Sequence, residues 1–123
     1  MIGIDIIKIE RMQNLINRYG NKALEKFLSQ DEIQLVKTSK NAAGFWAAKE
    51  ACAKALQTGI GKECGFKDMV LSKTERGAPL ISLSEKILKK LNICDISLSI
   101  THDGEYAIAV VAIERGSPST DKV

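Results

Sequence analysis

Cysteine, histidine and aromatic residues are all scarce in this 123-residue chain, and each scarcity removes a class of function. The three cysteines, Cys52, Cys64 and Cys94, are odd in number, widely spaced and without a C-x-x-C, so neither a disulfide framework nor a zinc site is indicated. They read as small apolar or incidental thiols. The six aromatic residues (three Phe, two Tyr, one Trp) are not interleaved with Lys or Arg, as a single-strand stacking groove would require. A net charge of +3, from 18 basic and 15 acidic groups, is too small to argue for nucleic acid. No apolar run approaches the ~20 residues of a membrane span. Met1-Ile2-Gly3-Ile4-Asp5 places a carboxylate where a secretory leader needs a basic segment and an unbroken apolar one, so a cytosolic setting is expected.

What is present is ordinary for a soluble globular domain, with 45% apolar and 27% charged residues. The length suits one domain, expected over residues 1–115, with a small, polar tail from Gly116 to Val123 expected to fray. There is no internal repeat and no low-complexity segment.

Ile2-Gly3-Ile4-Asp5-Ile6-Ile7 reads as a first strand, with Ile2, Ile4 and Ile6 on one face and Gly3, Asp5 and Ile7 on the other. An Asp among β-branched residues is out of place by propensity, so it is either solvated or held there for a purpose. Ile9, Met12, Leu15, Ile16 and Tyr19 then recur at helical spacing, and Gly20 stops that helix. Arg11 and Arg18 share one side of it, and Lys22 and Lys26 follow in a short helix over Asn21–Leu28. Such a row is most often a solvated face; the alternative is a basic patch for an acidic partner. Ser29-Gln30-Asp31-Glu32 is a capping box, predicting a helix through about Thr38. A polar link at Ser39-Lys40-Asn41 follows.

The stretch Phe45–Leu56 is alanine-rich and free of Gly and Pro, which predicts a helix. Phe45, Ala48, Cys52 and Leu56 cluster on a face suited to burial, while Trp46, Glu50 and Lys54 fall on another at i, i+4 steps. Alone, Glu50 and Lys54 are a surface pair worth a few tenths of a kcal/mol. Thr58-Gly59-Ile60-Gly61-Lys62 reads either as a helix cap plus loop or as a phosphate-approaching loop without P-loop spacing. Strands are predicted at Met69–Lys73 and Leu80–Leu83, around a turn at residues 74–79, and a helix at Ser84–Leu91 with Ser84 as N-cap. Asp95–Thr101 alternates cleanly, His102-Asp103-Gly104-Glu105 turns the chain, and Tyr106–Ile113 returns as an apolar strand. The order implies α+β, a small, mostly antiparallel sheet packed against helices.

Asp5, Glu50, Lys54 and the lone His102 are the chemically suggestive residues. Two carboxylates without a His/Cys cluster suit a hard cation such as Mg²⁺, with substrate phosphates completing its shell. Lys54, one turn from Glu50, could reach the same phosphate.

The motifs Gly3-Ile4-Asp5-Ile6, Trp46-Ala47-Ala48-Lys49-Glu50-Ala51 with Lys54, Thr58-Gly59-Ile60-Gly61 with Phe66-Lys67-Asp68, Gly77-Ala78-Pro79, and Ser99-Ile100-Thr101-His102-Asp103 occur in order from Ile2 to about Arg115. Together they resemble the small bacterial 4′-phosphopantetheinyl transferases of the holo-[acyl-carrier-protein] synthase type. The resemblance implies that fold and transfer of the phosphopantetheine arm of coenzyme A to a serine of apo acyl carrier protein, in support of fatty acid biosynthesis. By position it implies Asp5 and Glu50 as catalytic Mg²⁺ ligands and Lys54 as a catalytic residue that stabilises phosphate charge or protonates the leaving group. It also implies Lys54, Gly59, Gly61 and His102 at coenzyme A. Arg11 and Lys22 would meet the acidic carrier, and the assembly would be a homotrimer with sites between subunits. The base that takes the serine proton stays open between a metal-bound water and a carboxylate. Phe45 stands where the family often has an Arg at the coenzyme A phosphates, so either Lys40 or Lys62 compensates or the affinity for coenzyme A is lower. The alternatives are a Mg²⁺-dependent coenzyme A pyrophosphate hydrolase and a non-catalytic module for an acidic protein.

Overall fold

The computed structural model describes residues 1–116, so the expected tail beyond Gly116 lies outside the described residues. In order, the elements are β1 (Ile2–Lys8), α1 (Ile9–Tyr19), α2 (Asn21–Glu25), α3 (Gln30–Ile33) and α4 (Ser39–Ala55). A 3₁₀ turn at Phe66–Asp68 leads to β2 (Met69–Lys73), β3 (Pro79–Leu83), α5 (Glu85–Lys90), β4 (Ile93–Asp103) and β5 (Tyr106–Arg115). β1, β5 and β4 form an antiparallel sheet in that order, and β2 pairs with β3 as a separate hairpin. The α+β expectation holds. Among the described residues no helix is long and apolar enough to cross a membrane.

α4 occupies the centre. Ala42, Ala43, Phe45, Ala47, Ala48, Ala51, Cys52, Ala53 and Ala55 are all buried, so the helix is enclosed nearly all round rather than on one face. Its alanines make this possible, because short side chains let the sheet, α1 and the hairpin approach the helix axis together. The predicted solvated half narrows to a stripe of Lys54, Glu50 and half-buried Trp46, whose ring packs edge-on to Phe27 at 5.1 Å. The predicted buried set of Phe45, Ala48, Cys52 and Leu56 is buried.

Two glycines set how tightly the layers close. A Cβ on Gly3 would lie against the carbonyl oxygen of Ala51 and 2.6 Å from the Ala55 nitrogen, so β1 rests directly on the helix backbone. A Cβ on Gly44 would come 3.0 Å from Ile100 Cγ2 and 3.3 Å from His102 Nε2, bringing the start of α4 onto β4. α4 therefore crosses the sheet from its β4 edge to its β1 edge.

Several predicted boundaries move. α4 begins at Ser39: Thr38 is extended (φ −143°, ψ 164°) and its hydroxyl accepts from the Asn41 N–H at 3.1 Å, so the supposed polar link is the first helical turn. That extended cap forces α3 to end early, at Ile33, and α2 ends at Glu25. The Ser29/Glu32 capping box is present. Ser84 stands at the N-cap position of α5 but does not cap with its side chain, because its hydroxyl donates to Asp68 at 2.9 Å. His102 and Asp103 extend β4, paired with Ala107 and Tyr106, so the turn is confined to Gly104-Glu105.

A buried ion pair ties these pieces together. Lys49 and Glu32 are 1% and 3% exposed, with Nζ 2.9 Å from Oε1. Lys49 also donates to the carbonyls of Phe27 (2.8 Å) and Phe66 (3.1 Å). Glu32 accepts from the N–H groups of Ser29 and Leu71, each at 2.8 Å. Burial pulls the Lys49 amine below its ordinary value, and the Glu32 contact opposes that pull.

Candidate active site

β1 alternates, so the register that seats Gly3 on α4 turns Asp5 toward the same helix two residues later. There Lys54 Nζ donates to Asp5 Oδ1 at 2.9 Å and to the Ile4 carbonyl at 3.1 Å. The lysine is 53% exposed and the aspartate 15%. So open a pair contributes little to stability and leaves Lys54 available to an incoming anion.

Glu50, one turn back along α4, is half-buried. Its carboxyl is held above the ordinary carboxylate value, first by desolvation and then by the negative charge of Asp5; Lys54 and Arg11 act in the opposite sense. The cause of that shift is informative. Two carboxylates from a strand and a helix converge closely enough to repel, with Lys54 and, from α1, Arg11 beside them. The sequence pointed to Asp5, Glu50 and Lys54 together; it did not show that Arg11 joins them.

His102 lies elsewhere. It is on β4, at one edge of the sheet, whereas Asp5 is on β1, at the other, with β5 between them and α4 crossing above. Its Nε2 is 3.1 Å from the Lys40 carbonyl, which can only accept, so Nε2 carries the proton in this arrangement. With Asn41, Phe45, Lys73, Pro79 and Ile100 it lines a cleft of about 140 Å³. Neither Lys40 nor Lys62, the proposed substitutes for a basic residue at Phe45, contributes a side chain to that lining; Lys73 does.

Gly59 and Gly61 follow α4 in an exposed loop. Gly59 has φ 64° and donates to the Ala53 carbonyl as part of the helix stop. The Gly61 N–H donates to Cys64. Both amides are thus committed within the chain, and what the loop offers a ligand is room. Lys22 is exposed on α2. Arg18 and Lys26 both lie over the Tyr19 ring, at 5.3 and 5.4 Å from its centroid. A cavity of about 290 Å³ lies away from Asp5 and Glu50, over Phe27, Phe66 and the Lys49–Glu32 pair. The polar groups at its floor are already hydrogen-bonded, so it holds no chemistry of its own.

The fold and this paired-carboxylate edge agree with the comparison to known families. Residues 1–111 match the model of the 4′-phosphopantetheinyl transferase superfamily, and the chain belongs to that family. The particular relatives are more specific. The chain is 67% identical over 114 residues to the holo-[acyl-carrier-protein] synthase of Sulfurimonas denitrificans, covering 93% of this chain and 94% of that one. It is similar in structure to Helicobacter pylori holo-[acyl-carrier-protein] synthase solved with coenzyme A (TM-score 0.89, 50% identity, 93% of this chain and 100% of that one). A Bacillus anthracis holo-(acyl-carrier-protein) synthase, solved with CoA (3′,5′-ADP), is similar at TM-score 0.78 and 34% identity over 94% and 96% of the two chains.

Proposed function

We propose that this chain transfers the 4′-phosphopantetheine arm of coenzyme A to a serine hydroxyl of apo acyl carrier protein, releasing adenosine 3′,5′-bisphosphate. The observation that carries the mechanism is the convergence of Asp5 and Glu50 with Lys54 in salt-bridge contact. The donor set fits a hard divalent cation: two carboxylates with no thiol or imidazole beside them, Glu50 being held above the ordinary carboxylate value by burial and then by the charge of Asp5. Asp5 and Glu50 would hold Mg²⁺, which supplies neutralisation of charge on the pyrophosphate and leaving phosphate. Lys54 turns from Asp5 to the phosphoryl oxygens and stabilises the charge that develops there. His102 binds the nucleotide end of coenzyme A, and the glycine loop at Gly59 and Gly61 leaves space for the diphosphate to approach.

Arg11 and Lys22 form the docking face for the acidic carrier, together with exposed Leu15 and Tyr19 on α1. Because Arg11 also flanks Glu50, a carrier held there brings its serine to the carboxylate edge.

The assembly we propose is a homotrimer with sites shared between neighbours. Two features support it. The carboxylate edge and the His102 edge are on opposite sides of one protomer's sheet, so a ligand spanning both needs a second chain. The outer sheet face is also apolar, with Ile2, Ile4 and Ile6 exposed by 74%, 58% and 58%.

The test is direct. The protein, apo acyl carrier protein, coenzyme A and Mg²⁺ are incubated and the carrier is weighed by mass spectrometry. A phosphopantetheine adduct is expected, and its loss with Glu50→Ala. An unmodified but competent carrier would overturn the proposal.

A further inference from the structure

The carboxylate edge is formally neutral before anything binds to it. The close approach of Gly3 to Ala51 and Ala55 lays β1 along the last turn of α4, and Lys54 reaches from that turn to the strand. Its ammonium donates to Asp5 Oδ1 at 2.9 Å and to the Ile4 carbonyl of the edge strand at 3.1 Å. Glu50 feels Asp5 as a like charge and Lys54 and Arg11 as opposite ones, so four charged side chains share one field. Two acids and two bases sum to no formal charge. Lys54 is thus already a cation seated on one of the two carboxylates proposed to hold the metal.

That balance governs what the edge admits. A divalent cation alone would leave a surplus of positive charge there, and a diphosphate alone a surplus of negative charge. Together the two restore neutrality, and the phosphate oxygens offer the Lys54 amine an acceptor in place of Asp5. We propose that Lys54 couples the two ligands: in the substrate-free protein it holds Asp5 against a divalent cation, and it gives up that carboxylate when the diphosphate of coenzyme A takes the amine. The exchange costs little because the pair is open to solvent, with Lys54 53% exposed. Such coupling is reciprocal, so the cation tightens the hold on coenzyme A by the same factor. This rests on the coenzyme A reading above.

The probe is Mn²⁺, which shares the preference for oxygen ligands, titrated against the substrate-free protein with the fluorescence of Trp46, the single tryptophan, as the signal. Lys54→Met removes the charge at an exposed position and should fold with a nearly unchanged unfolding midpoint. Alone, it should bind Mn²⁺ roughly two- to five-fold more tightly than wild type, the range an exposed ion pair is worth. With both proteins saturated by coenzyme A, that advantage should vanish or reverse. A variant that binds Mn²⁺ no more tightly than wild type overturns the proposal. So does one whose advantage persists unchanged with coenzyme A, which is plain charge repulsion. A second measurement uses wild type only. Acetylation of Lys54, followed by mass spectrometry, should speed up with Mn²⁺ alone and slow when coenzyme A is added too; a rate indifferent to both overturns the coupling. If the protein modifies its carrier and fails either test, only the role of Lys54 falls. If it binds no Mn²⁺ with or without coenzyme A and modifies no carrier, the coenzyme A reading falls and the coupling with it.

Discussion

At the scale of single residues, Glu50 is placed against its own stability. Its carboxyl is raised by burial and by Asp5, so the folded chain without metal takes up its proton more readily than the unfolded chain does. The linkage has a definite sign. That proton uptake favours the fold below the unfolded value and fades as pH rises through the folded one. Glu50→Gln, which removes the charge and keeps the shape, should raise the unfolding temperature at neutral pH in chelator while abolishing transfer. Calorimetry with and without chelator checks this, and a lowered midpoint in chelator would contradict it. Metal affinity should weaken as pH falls, starting above the ordinary carboxylate range, since a ligand must lose its proton to bind. Trp46, the single tryptophan and one turn from Glu50, is a natural fluorescence reporter for that titration. Arg11 has two proposed roles to separate. Arg11→Ala should slow carrier turnover mainly at low ionic strength, by several-fold, and the difference should shrink as salt screens the surface. A salt-independent loss would place Arg11 with the carboxylates instead of the carrier.

At the scale of elements, what could be read from the chain and what could not divide along physical lines. β1 was legible because alternation puts Asp5 on the face of Gly3 and Ile7, and an acid in a strand of isoleucines needs a reason. The Glu50–Lys54 stripe followed from helical spacing. The enclosure of α4 did not, since alanine is compatible with both surface and interior. The burial of Lys49 leaves no local signal for the opposite reason: lysine is almost never fully buried unless paired, and its partner Glu32 is 17 residues away in a segment whose capping box already accounts for that residue. Polar residues and glycine crowd residues 101–105 and so predict a turn at His102, while pairing with Ala107 keeps it in the strand. Lys73 carried no signal, since only tertiary packing brings the hairpin to α4. The buried pair makes its own prediction. Lys49→Ala leaves Glu32 charged and unpaired and should cost about 3–5 kcal/mol, whereas Lys49→Met with Glu32→Leu should restore much of that in denaturant unfolding.

At the scale of the whole molecule, the sheet separates the chemistry into two halves on opposite edges. The shared site proposed above has a consequence for mixtures. Glu50→Ala and His102→Ala should each be nearly inactive as pure proteins. Unfolded and refolded together in equal amounts, they should regain roughly a quarter of wild-type activity, because random assortment leaves that share of sites with both good halves. No recovery would mean that each protomer works alone. The apolar outer face predicts the same assembly independently: Ile4→Lys should shift light scattering toward monomer and lower activity with it, while leaving the helical signal in circular dichroism intact.

The Lys49 anchor also bears on the chemistry through angle. A helix made largely of alanine has a smooth surface, and little in its packing distinguishes one rotation about its axis from a neighbouring one. Lys49 breaks that degeneracy, since its three bonds reach Phe27, Glu32 and Phe66, all on segments outside α4. Glu50 is the next residue, 100° further round the axis. The azimuth at which the Glu50 carboxylate meets Asp5 is therefore indexed by a buried amine one residue away, in the way a keyway fixes the phase of a shaft.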